Sequence, residues 1–289
     1  MQSSLRFSRV RILESLPPNE VQTGTVLGAY VSALETEFPV EVQQWSSPDE
    51  LFALLREASN SARTAGQIPI IHLECHGTFD ATGLVARNGE VVSWPEIAPL
   101  LAELNIATGF NLLVFVAACN GGYFLETMYL LASAPCYGLI APTDEVDPAD
   151  VMRGARDFYR VLLKDRDIVT AVRNLAMQKL EIGRWFAELA ETWFRTTTLD
   201  YVRTYCTKKA LRGRARTLYR RSLEEGRPRS IGAYVRDLEN ATKSDLVGKH
   251  FDAFFVVRQV PANAQRFTEL REDVRLQVLN LLAQDAFKK

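Results

Sequence analysis

The stretch NLLVFVAACN, residues 111–120, carries an unbroken apolar run from Leu112 to Ala118 and stops on Cys119. A strand with one face in water alternates apolar and polar residues. A strand with no polar residue at all is covered on both faces, as in the parallel sheet of a layered α/β domain. The neighbouring segments agree with that reading. RVRILESL (9–16) reads as a strand that ends at Pro17-Pro18, VEVQQW (40–45) as an alternating strand, IPIIHLECHG (68–77) as a third strand and CYGLIAP (136–142) as a fifth.

Between these strands lie helix patterns. TGTVLGAYVSALETEF (23–38) repeats Val26, Tyr30, Leu34 and Phe38 on one face. SPDELFALLREASNSA (47–62) opens with Ser47, Pro48 and Glu50 in a capping-box arrangement. PEIAPLLAEL (95–104), YFLETMYLLASA (123–134) and DPADVMRGARDFYRVLLK (147–164) complete the set, the last with Asp147 as its N-cap. Asn88-Gly89, between apolar flanks in TGLVARNGEVVSW (82–94), predicts a hairpin. Strands alternating with helices give a three-layer α/β/α domain with a mostly parallel sheet, expected over residues 1–180. Residues 181–289 lose the strand pattern and read as a mainly helical extension. One stretch there, HFDAFFVVRQV (250–260), also fits a strand that would extend the sheet.

The chain has 289 residues, 47% hydrophobic and 24% charged, with a formal net charge of −1. Near-zero charge makes no general case for nucleic acid or a membrane surface as partner, and neither is expected. The opening MQSSLRFSRVRIL lacks a leader-like apolar segment, and no apolar run approaches membrane-spanning length. A reducing cytoplasm is therefore expected, with Cys75, Cys119, Cys136 and Cys206 as free thiols. GTVLGAY (24–30) fits neither the dinucleotide fingerprint nor the P-loop, so a nucleotide-binding protein is not expected, and no metal site is read from the sequence.

In an open parallel sheet, ligands bind beyond the carboxyl ends of the strands. Two predicted strand ends carry chemistry there. The third strand ends on His76-Gly77 and the fourth on Cys119, followed by Asn120 and Gly121. Were those strands neighbours, imidazole and thiol would share one cleft. The thiolate is the nucleophilic form of cysteine, and a nearby imidazolium or helix N-terminus favours it. A histidine can then carry a proton to a leaving amine. Each residue alone has an ordinary alternative, since buried cysteine is a common small core residue and glycines after a strand can simply make a turn. The joint placement favours chemistry. Strand alternation puts His72 and Glu74 on the side of His76, with His72 deeper and read as a satisfied core histidine, and Cys75 on the opposite side. Cys136 opens the fifth strand, away from the cleft; Cys206 and His250 receive no functional role.

IIHLECHG followed by LLVFVAACNGG resembles the His-Gly and Ala-Cys signatures of the caspase-like cysteine proteases, clan CD, and is most similar to the separase-related CHAT branch. The residues that carry the resemblance are His72, His76-Gly77 and Ala118-Cys119-Asn120, and the likeness covers residues 68–177. It implies a caspase-like fold and a dyad with His76 as proton carrier and Cys119 as nucleophile. It further implies an oxyanion hole from the backbone of Gly77 and Cys119, and cofactor-free hydrolysis of a protein substrate. A regulatory or sensor protein and a role as a bacterial defence or cell-death effector would be natural. Members of this kind often pair a carboxylate with a basic substrate residue. Asp144, Asp147 and Glu14, near the relevant strand ends, are the candidates, with Asp144 preferred. A catalytically inactive adaptor on the same scaffold is the competing reading.

Residues 208–229 contain nine Lys and Arg against Glu224 and Glu225. They read as a solvated helix face, with a docking surface for an acidic partner or an autoprocessing segment as the functional alternatives.

Overall fold

The structure, a computed structural model, describes residues 5–34, 37–127, 133–227 and 229–287. The chain divides into two compact units, the first running to Ala190 and the second from Glu191 onward.

The first unit is built on a mixed, mostly parallel sheet. Its strands are β1 (Arg9–Ser15), β2 (Val40–Gln44), β3 (Pro69–Gly77), the hairpin β4 (Gly83–Val85) and β5 (Val91–Ser93), β6 (Leu113–Ala117), β7 (Gly138–Pro142) and β8 (Trp185–Leu189). The main order is β2-β1-β3-β6-β7-β8, with the hairpin attached to the end of β3. Strands β2, β1, β3, β6 and β7 pair in parallel, and β8 runs antiparallel to β7. Helices α1 (Thr23–Ser32), α4 (Pro148–Asp165) and α5 (Ile168–Met177) cover one face. Helices α2 (Pro48–Ala65) and α3 (Trp94–Ala107) cover the other. The three-layer α/β arrangement expected from the apolar strands is therefore present. Strand β6 shows why it was readable: each of its five residues is buried, with Leu113, Phe115 and Ala117 on the α1/α4 side and Val114 and Val116 on the α2/α3 side.

Several local expectations need correction. Helix α1 buries Gly24, Leu27, Gly28 and Val31, while Val26 is exposed. Of the predicted stripe, Tyr30, Leu34 and Phe38 pack against the core on this face, while Val26 is exposed and α1 seats its glycines on the sheet. A Cβ on Gly28 would come within 2.4 Å of Val42 Cγ2, so the helix sits closer to β2 than any other residue allows. The hairpin forms where Asn88-Gly89 predicts it, but with a five-residue connection in which Gly89, and not Asn88, takes positive φ. Over 123–134 the predicted helix begins as a 3₁₀ turn, Gly121–Thr127, and residues 128–132 lie outside the described residues. RWFAEL (184–189), read as helical, supplies β8, whose antiparallel pairing with β7 closes the sheet edge and moves the unit boundary from 180 to 190.

In the second unit, helices α6 (Ala190–Tyr205), α7 (Lys208–Glu224), α8 (Ile231–Ser244), α9 (Leu246–Phe254), α10 (Asn263–Arg266) and α11 (Thr268–Phe287) follow one another. The stretch proposed as a strand at 250–260 is instead the end of α9 followed by turns. Its buried residues explain the correction: Val247, His250, Phe251, Phe254 and Phe255 recur at helical spacing, which outweighs their high strand propensity. Phe194 lies against this row, with ring centroids 5.5 Å from Phe254 and 5.2 Å from Phe255. The basic run sits on α7, where Lys209, Arg212, Arg216 and Arg220 are exposed.

His250 is 3% exposed, and its Nδ1 lies 2.8 Å from the Thr198 hydroxyl, which itself donates to the Phe194 carbonyl. Burial among aromatic rings lowers its pKa to about 4, so the ring is neutral in the folded unit. An unfolded histidine titrates near 6.5, so the unfolded chain takes up the proton first as pH falls. Stability is therefore full above pH about 6.5 and declines towards pH 4, by about 1.4 kcal/mol per pH unit at most. Urea unfolding followed by circular dichroism between pH 7 and 4 should show this acid slope in the wild type. The slope should be reduced by about one proton's worth in His250→Leu.

Candidate active site

Strands β3 and β6 are parallel neighbours, in register from Ile70↔Leu113 to Glu74↔Ala117. His76 stands two residues further along β3, and Cys119 lies in the turn two residues past the end of β6. Alternation places His76 on the α1/α4 side of the sheet, with His72 and Glu74. The closest approach comes at Gly77. A Cβ there would lie 1.8 Å from the Cys119 carbonyl oxygen, 2.8 Å from its carbonyl carbon and 3.3 Å from its nitrogen. The expected oxyanion pair, Gly77 and Cys119, therefore has its two backbones in contact.

Cys119 is partly exposed, whereas Cys75, Cys136 and Cys206 are buried. Burial pushes the thiols of Cys75 and Cys136 up, with the neighbouring Glu74 adding to the effect at Cys75. The Cys206 thiol is raised as well, again chiefly by burial. These three remain protonated thiols and behave as core residues.

The turn after Cys119 is held from three sides. Asn120 adopts φ +60°, a left-handed conformation that asparagine tolerates better than most residues. Its N–H donates to the Asp144 carbonyl at 3.1 Å, and its side-chain amide donates to the Thr78 carbonyl at 3.3 Å. The tips of β6, β7 and the β3–β4 turn are thereby joined at one residue. The glycines behind the thiol are closely packed. A Cβ on Gly121 would meet Val116 Cγ1 at 2.8 Å, and one on Gly122 would meet the Pro142 carbonyl at 3.3 Å. Among the described residues, the chain after the thiol forms a seven-residue 3₁₀ turn, Gly121–Thr127.

His76 is about half exposed, and its Nε2 lies 2.9 Å from a carboxylate oxygen of Glu20, in the loop between β1 and α1. No local pattern points to that partner, which lies fifty-six residues earlier in the chain. His72 is wholly buried, as expected of a core histidine. Its Nε2 meets Glu74 at 2.8 Å, its Nδ1 meets the Tyr159 hydroxyl at 3.1 Å, and its ring stacks on Phe115. Burial, with Glu74 close by, pushes the Tyr159 phenol up, which keeps it a donor to this network. The other Glu74 oxygen accepts the Thr23 hydroxyl at 2.5 Å, at the start of α1.

The three specificity candidates have separate fates. Glu14 is 0% exposed and accepts from the Gly24 and Thr25 N–H groups and the Thr25 hydroxyl, so it caps α1 and does not line a substrate pocket. Asp147 is exposed and accepts the Ala149 N–H as the N-cap of α4. Asp144 is half-buried beside the Asn120 tie. One of its oxygens accepts the Thr143 hydroxyl at 2.7 Å, and its side chain abuts Gly183. Among the described residues, no cluster of three or more His, Cys, Asp or Glu could hold a metal ion, and no helix is long and apolar enough to cross a membrane.

Comparison with protein-family models and with curated proteins finds no match to this chain.

The glycine contact gives a direct test of this geometry. Gly77→Ala must push two neighbouring strand ends apart and should cost about 1–3 kcal/mol in urea unfolding. It should also change the rate at which iodoacetamide alkylates Cys119, while Gly89→Ala, an open turn position, leaves that rate unaltered.

Proposed function

We propose that this chain is a cysteine endopeptidase of the caspase-like type, in the CHAT branch, which cuts a protein partner after a basic residue. One observation carries the reading: the His76-Gly77 and Cys119 ends lie on adjacent parallel strands, in contact, with Cys119 the partly exposed thiol. The small hairpin that follows His76 supports it too, since the caspase-like resemblance implies a hairpin at that point.

In this mechanism His76 takes the Cys119 proton, and the sulfur attacks the carbonyl carbon of the scissile peptide bond. The tetrahedral oxyanion is met by the backbone of Gly77 and Cys119, an interaction of about 3–4 kcal/mol per donor in such sites. His76 then gives the proton to the leaving amine as the C–N bond breaks. Water, activated by the same imidazole, hydrolyses the thioester and frees Cys119. Asp144 is the remaining candidate for a basic substrate side chain. Among the described residues the Thr143 hydroxyl occupies one of its oxygens, and the Asn120–Asp144 bond holds it near the nucleophile's turn. The resemblance extends the reading to a regulated effector in bacterial defence or cell death.

Wild type and Cys119→Ala should be compared on Arg- and Lys-terminated fluorogenic peptides and on candidate protein partners. Cleavage by wild type alone is the expected result. Intact substrates in both, with a tight complex formed, would establish the adaptor instead. Asp144→Asn should lower kcat/KM on the Arg peptide by roughly 10- to 100-fold, the loss of one charge-assisted hydrogen bond. It should change cleavage of a neutral peptide far less.

A further inference from the structure

We infer that Glu20 is the positioning residue for His76, fixing which ring nitrogen carries the proton. A carboxylate only accepts hydrogen bonds, so at 2.9 Å the Nε2 of a neutral His76 must be the protonated nitrogen. That leaves Nδ1 as the basic nitrogen of the ring and restricts rotation about the Cβ–Cγ bond. Both are requirements of an imidazole that shuttles a proton.

The loop that carries Glu20 is built to hold it. It lies at the switch point of the sheet, where the chain leaves β1 for β2 on one side and returns to β3 on the other. The Glu20 N–H donates to the Pro17 carbonyl at 3.0 Å, and Gln22 Nε2 donates to the carbonyls of Pro17 and Glu20 at 2.9 and 3.1 Å. Arg87, from the hairpin connection, reaches across to the Leu16 carbonyl at 2.8 Å and to Gln22 Oε1 at 3.2 Å. Downstream, Glu74 holds Thr23, and Glu74 is two residues from His76 on the same strand face. The carboxylate and the imidazole it orients are thus anchored to the same strand, one directly and the other through α1.

The Glu20–His76 contact is solvent-exposed on both sides, so it adds little to folding stability. Its effect is orientation. Long-range ¹H–¹⁵N spectra of histidine-labelled full-length protein, with His76→Ala for assignment, should show His76 in the single Nε2–H tautomer when neutral. In Glu20→Ala the two tautomers should mix, with an unchanged unfolding midpoint. Glu20→Gln should restore the wild-type spectrum, because its amide oxygen still accepts. The kinetic arm of the test rests on the peptidase reading. There, Glu20→Ala should lower kcat by roughly 10-fold with KM unchanged, and Glu20→Gln should recover most of the loss. A single tautomer that survives Glu20→Ala, or a kcat unaffected by it in an active enzyme, overturns the inference. A Glu20-dependent tautomer in a chain that cleaves nothing would retain the inference and overturn the peptidase reading.

Discussion

The place where a side chain would stand on Gly77 is filled by the carbonyl of Cys119. Two strand ends can converge that closely only if one contributes no Cβ, and the rest of the site follows from the convergence. It fixes β6 beside β3, sets the height of His76 against Cys119, and forces the chain after the thiol into the left-handed turn at Asn120. The turn in turn needs the Asp144 and Thr78 carbonyls for its hydrogen bonds, which draws the ends of β7 and the β3–β4 turn to the same spot.

Behind this contact, the α1/α4 layer contains more polar chemistry than its apolar surroundings suggest. Tyr159, His72, Glu74 and Thr23 form a continuous hydrogen-bonded series from α4 through β3 to the first residue of α1, and Glu14 meets the next two residues of that helix from β1. Buried polar groups are tolerated when each finds its partner, and these do. His72 is therefore structural: it joins α4 to the strand that ends on His76.

What could be read from the sequence was what depends on local pattern. The continuous apolar run of β6, the capped start of α2, the N-cap Asp147 and the side of β3 that carries His72, Glu74 and His76 each follow from neighbours in sequence. What could not be read depends on packing across distance. Only part of the α1 face is legible, because a helix lying on a sheet through two glycines hides the centre of its contact surface from a count of apolar residues. The segment at 184–189 is a strand because β7 offers it an edge to pair with, and 250–260 holds the end of α9 and turns because Phe251, Phe254 and Phe255 meet a helical neighbour. Glu20 left no local trace: an acidic residue after a Pro-Pro turn is ordinary until the fold brings His76 beside it. Glu14 was placed on the right strand end, but whether a carboxylate faces a substrate or a helix terminus is decided by the orientation of α1.

The carboxylates Glu14 and Glu74 also govern how the molecule can come apart. If α1 lifted from the sheet while the strands stayed in place, Glu14 would lose its helix-terminus donors and Glu74 its threonine partner, and water would have to replace them over an otherwise apolar sheet face. That intermediate is disfavoured, so α1 and the loop before it stay docked until the sheet itself gives way. The Glu20 loop is consequently tied to the sheet at both of its ends, and on the peptidase reading proposed above it would stand as an already formed wall beside an approaching polypeptide.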